Sequence, residues 1–129
     1  FNSLVNKLNS GFDWEAVVIG FTGSIDPHFG SNLWLSSANL HLWHPFQDQP
    51  HRAWEAEIDR IFQNAVKQTD PDRRRDMYDR WQQIVNEVQP VIYTVTPETI
   101  YAIRNRFTHI KPTPIGGFTH NIEQIGVKE

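Results

Sequence analysis

The sequence predicts an α/β fold in which two amphipathic helices pack on a small mixed sheet. Two stretches, 52–68 and 70–88, repeat apolar residues at helical spacing. Short β-branched runs lie on either side of them, Ala16-Val17-Val18-Ile19 and Val91-Ile92-Tyr93-Thr94-Val95. A helical start leading into the first of these runs gives the helix-then-strand order of an α/β protein. At 129 residues the chain has room for one core, and 1–129 reads as a single domain.

Taken in order, Leu4, Val5 and Leu8 share a helical face, and Gly11 stands where that helix would stop. Ala16 to Ile19 is continuously apolar, the pattern of a strand buried on both faces. From Phe21 to Pro50 no period is sustained, apart from a turn of helix expected around Ser31 to Leu35. Loops longer than about 12–15 residues are usually functional or disordered. Phe21, Phe29, Trp34, Trp43 and Phe46 argue against disorder and make this the expected functional stretch. In the first long helix Ile58, Ile61, Phe62, Ala65 and Val66 form the apolar face. Asp70 suits an N-cap and Pro71 the first helical position of the second. Its core stripe is Met77, Trp81, Ile84, Val85 and Val88. So short a connection makes the two helices an antiparallel pair. Gln89-Pro90 ends the second helix, Val91 to Val95 reads as a strand, and Thr99 to Ile103 as another. Beyond Arg104 the chain is polar and irregular.

Composition removes several functions. A formal net charge of −3 with interspersed signs supplies no field for nucleic acid. The basic run Arg73 to Arg75 is surrounded by Asp70, Asp72 and Asp76, as on a solvated helix face. Cysteine is absent, which excludes a disulfide framework, a thiolate nucleophile and thiolate-bound zinc. No stretch approaches the roughly 20 apolar residues of a membrane helix. The chain starts Phe1-Asn2, without Met and without a signal-peptide pattern, so a processed or cut chain is expected. Five tryptophans supply core area, and flat aromatic faces also line ligand pockets.

A series of residues gives these elements a context. Asp70-Pro71, Arg74, Tyr78, Gln82 and Ile84 are followed by Pro90 and Ile92-Tyr93. Upstream stand Phe12-Asp13-Trp14-Glu15-Ala16, Gly20-Phe21-Thr22-Gly23 and Asp26-Pro27; downstream stands Tyr101-Ala102-Ile103-Arg104-Asn105-Arg106. In order and spacing this set resembles the family 5 extracellular solute-binding proteins, the peptide, dipeptide and nickel group. No single motif is specific; the ordered set covers nearly the whole chain.

The resemblance implies a fragment of the C-terminal lobe of a two-lobed periplasmic binding protein (type II), with 103–129 returning towards the missing lobe. The implied partners are a small-molecule or peptide ligand, ABC permease subunits in the membrane and the remainder of the full-length chain. The implied location is periplasmic or extracellular, membrane-associated through the transporter. No enzyme activity and no cofactor are expected. Substrate contact falls to Phe21, Thr22, Gly23, Ser24, Asp26 and Trp34. Peptide-binding members resemble G-W-x-x-D at the loop, with the acid gripping the ligand's ammonium. Here Ser24 stands at that acid, while Asp26 matches the acid of the following Asp-Pro turn. A sugar, an opine or a peptide held differently therefore all remain open.

Other chemistries are weaker. His28, His41, His44 and His51 fall in the long loop, and His41 and His44 would share a helix face. With Asp26 they make a metal-binding protein or a metal-dependent hydrolase the alternative. No usual zinc spacing is present, and no glutamate stands in general-base position beside a histidine pair. No G-x-S-x-G elbow frames Ser24, Ser31, Ser36 or Ser37. An interaction module on the two helices would need an exposed apolar stripe.

Overall fold

A computed structural model describes residues 2–8 and 14–128. Gly11, Phe12 and Asp13, named above as a helix stop and part of the family series, lie outside the described residues. The content is mixed α/β: four helices and a two-stranded antiparallel sheet among the described residues. The helices are α1 (Asn2–Asn6), α2 (Ser31–Trp34), α3 (Ala53–Ala65) and α4 (Pro71–Val88). The strands are β1 (Phe107–Thr108) and β2 (Gly126–Val127). The chain divides into two compact units, Phe1–Ile92 and Tyr93–Glu129.

The first unit is organised by α3 and α4, whose pairing follows from their apolar stripes. Ile58, Phe62 and Ala65 of α3 are fully buried and meet Tyr78, Ile84 and Val85 of α4. Met77, Trp81 and Ile61 are partly buried against that core. Phe62 is its centre, in edge-to-face contact with Tyr78 and Trp81 at 5.5 Å each. Val66 and Val88, expected on the stripes, sit at the helix ends and are exposed. Tyr78, which the stripe omitted, is buried instead.

The helix signals act as anticipated around α4. Asp70 Oδ1 accepts from the N–H groups of Asp72 and Arg73 at 3.0 and 3.2 Å, and Pro71 opens the helix. Gln89 closes α4 in the left-handed region, with φ of 44°.

The expected strands are corrected by the structure. Residues 16–19, 91–95 and 99–103 have β composition but form no strand. Val18 is 89% exposed, Ile92 86% and Ile100 90%, and no backbone ladder reaches them among the described residues. A strand is stabilised by its neighbour's hydrogen bonds and side chains, and β propensity alone does not supply them. The small sheet lies elsewhere, in the second unit, where Phe107 pairs with Val127 and Thr108 with Gly126. In that unit Thr113 and Gly117 also exchange two backbone hydrogen bonds at 3.0 Å, with Gly117 at φ 61°.

Substituting the residue at the centre of the first core measures how far that unit depends on it. Phe62→Ala should cost roughly 3–5 kcal/mol in urea unfolding followed by tryptophan fluorescence, the range for a fully buried phenylalanine.

Candidate functional site

The long stretch before α3 is ordered by α3 itself, which presents two carboxylates one turn apart. Asp59 accepts from the Ser36 N–H at 2.9 Å and from the Ser36 hydroxyl at 2.6 Å. Glu55, 2% exposed, sits in the first turn and accepts four hydrogen bonds, two per oxygen. His41 Nε2 and Gln47 Nε2 reach Oε1 at 3.2 Å, while the N–H groups of His51 and Arg52 reach Oε2 at 3.1 and 3.0 Å. The Arg52 contact is half of a capping box, a glutamate three residues past the N-cap satisfying the N-cap amide.

His41 is fully buried in this knot, its ring 4.0 Å from that of Trp43. Its Nδ1 lies 3.0 Å from the Leu33 carbonyl oxygen. Both ring nitrogens are thereby committed. Burial pushes the Glu55 carboxyl up, but the hydrogen bonds from His41, Gln47 and the Arg52 amide outweigh it and hold it below its ordinary value.

This placement bears on the alternative metal reading, in which His41 and His44 would share a helix face. His41 is a core residue, whereas His44 is exposed and its ring lies 4.4 Å from that of His51. No cluster of three or more His, Asp or Glu side chains suited to a metal occurs among the described residues.

A second link joins the start of the long stretch to the helix pair. Asp26 caps the 3-10 turn Pro27–Gly30, accepting from the His28 N–H at 2.8 Å. Arg74 Nη2 lies 2.8 Å from each Asp26 carboxylate oxygen. The same guanidinium donates through Nε to the Ala65 carbonyl at the end of α3, at 3.0 Å, and lies 5.1 Å from the Tyr78 ring centroid. The Arg74 contact and the His28 amide hold the Asp26 carboxyl below its usual range. Around this bridge lies a pocket of about 540 Å³, lined by Asp26, His28, Phe29, Ser31, Asn32, Val66 and Arg74.

Of the residues expected to contact a ligand, Asp26 alone lines this pocket. Phe21, Thr22, Gly23 and Ser24 are exposed and adjoin it in sequence; Phe21 is 48% exposed, and a side chain at Gly23 would meet nothing within 4 Å. Trp34, expected as a cleft wall, is 5% exposed and belongs to the core, where its ring meets Trp43 at 5.8 Å and Trp81 at 5.2 Å. The sequence places Arg74 in a solvated basic run; in the structure it joins Asp26, the Ala65 carbonyl and the Tyr78 ring on the pocket lining. Its place in the Asp-Pro series, apart from Arg73 and Arg75, was the available signal.

No family model matches the chain, and no curated protein or solved structure matches it. No helix among the described residues is long and apolar enough to cross a membrane.

Two measurements check this geometry. Because the folded Glu55 carboxyl lies below its ordinary value of 4.5, its contribution is complete above that pH and is lost as the pH falls through the folded value. Glu55→Gln should flatten the acid limb of a plot of unfolding free energy against pH. Arg74→Lys keeps the charge but cannot serve Ala65 and Asp26 with one planar group. It should cost about 1 kcal/mol in chemical denaturation, with chemical-shift changes at residues 26–32.

Proposed function

We propose that this chain forms one wall of a solute-binding cleft in the binding protein of an ABC-type importer. The observation that carries this reading is the way residues 21–26 are presented. An exposed aromatic and hydroxyl loop ends on an aspartate held by Arg74 and by the turn 27–30, at the edge of a pocket of about 540 Å³. Pockets of a few hundred to about 1,000 Å³ with a few convergent polar groups are the usual form of small-molecule sites.

Two further features support it. The family series and the physics meet at one residue, since Arg74 is the arginine of the Asp-Pro series and also ties the pocket together. Within the apolar runs 16–19 and 91–95, Val18, Ile92 and Val95 are open to solvent, a surface that the rest of a longer chain would cover. The chain is then a portion of the C-terminal lobe of a two-lobed binding protein at the outer face of a membrane. Its work is closure: contacts to solute from both lobes favour the closed form, which the permease subunits recognise. No bond is made or broken.

The test is a thermal-shift screen of the natural full-length protein against oligopeptides, sugars, opines and divalent metals. One organic solute class should stabilise it, by about 2.7 kcal/mol at a hundredfold excess over Kd, with the shift reduced in Phe21→Ala. Stabilisation by zinc alone, lost in His44→Ala and His51→Ala, would overturn the reading. The 129-residue chain by itself should show concentration-dependent association in sedimentation velocity, because its β-branched runs are uncovered. A strict monomer at high concentration would contradict the part played here by those runs.

A further inference from the structure

The charge and hydrogen-bond inventory of this wall identifies a class of solute, an inference that rests on the cleft reading above. Residues 14–34 contain no lysine or arginine and two carboxylates, Glu15 and Asp26. Glu15 stands apart from the loop, on the far side of the apolar run 16–19. Asp26 is already engaged: Oδ1 accepts from the His28 amide and from Arg74, and Oδ2 lies 2.8 Å from the same guanidinium. A ligand ammonium at that carboxylate would meet the Arg74 guanidinium beside it, so the pair offers it no net negative charge. Loop residues Thr22 and Ser24 offer hydroxyls but no charge.

What the pocket offers instead is a neutral pair, with carboxylate acceptors and guanidinium donors side by side. Neighbouring hydroxyls on a sugar ring both donate and accept, so they match such a surface without separating the pair. Ser31 and Asn32 add uncharged donors and acceptors to the lining. Phe29, also on the lining, is 74% exposed, and its ring presents an apolar face suited to the C–H side of a pyranose. We propose that the solute is a neutral polyhydroxylated compound, an oligosaccharide, and not a peptide recognised through a free amino terminus.

The experiment is titration calorimetry of the natural full-length protein with maltotriose, cellotriose and trialanine as probes. Binding of either trisaccharide, weakened about tenfold in Phe29→Ala, is the expected result. Phe29 is exposed, so that variant should fold, and an unchanged Tm without ligand verifies it. Binding of trialanine with neither trisaccharide bound overturns the inference and leaves the cleft reading standing. If no probe binds, the inference falls, and the broader thermal-shift screen decides the cleft reading separately. Trisaccharide binding unchanged by Phe29→Ala would also overturn the assignment of this pocket.

Discussion

The arrangement of the first unit depends on one buried carboxylate. Glu55 is almost wholly removed from water, and an unpaired carboxylate there would cost several kcal/mol. It is tolerated because four donors converge on its two oxygens, three of them from the preceding loop and one from the N-cap of its own helix. The dependence is mutual. Without Glu55 the buried His41 ring and the Gln47 amide would each lose an acceptor, and the turns from 41 to 52 would lose their hydrogen bonds to α3. The fold of a long, aperiodic segment is thus specified by a few directional contacts, with little regular secondary structure of its own.

Three polar attachments run along α3 in sequence. Glu55 holds His41, Gln47 and the entry to the helix; Asp59 holds Ser36; the Ala65 carbonyl holds Arg74, which in turn holds Asp26. Between them Trp34 enters the aromatic cluster with Trp43 and Trp81. The segment is therefore fastened over the whole length of the helix. What remains unfastened is the part before Asp26, residues 16–25, whose side chains are largely exposed and meet no backbone ladder among the described residues.

The parts legible in the sequence were those fixed by local physics. The α3 and α4 stripes, the Asp70-Pro71 start and the short helix at Ser31 follow from spacing and capping within a few residues. The strands were not legible in the same way, because β composition states what a segment suits, and only a partner decides whether a ladder forms. The place of His41 is not legible for a related reason: its partner Glu55 lies fourteen residues on, and nothing local to the histidine-rich loop shows that this ring enters the core. The capping-box position of Glu55 was the one local hint. Trp34 lies on a single turn of helix, too short for periodicity to show which way it faces. Asp26 carried both a turn-capping and a ligand-binding reading, and the structure gives it the first role while placing it on the pocket wall.

That double placement bears on how such a wall would work. The pocket is continuous with the core beneath it: His28 lies 6.0 Å from Phe62, Phe62 meets Tyr78, and the Tyr78 ring lies beside the Arg74 guanidinium. Moving Asp26 would mean moving Arg74 and disturbing a packed aromatic centre, so in the proposed closure of two lobes this wall would travel as a rigid body. Little binding free energy would then be spent on ordering the residues that line the pocket. The loop 21–25 is different, because its residues are exposed, Ile25 at 81% and the Phe21 ring at 48%. In the cleft proposed above, a rigid root with an unpacked lip would divide the task, the root fixing the position of a solute and the lip responding to its presence.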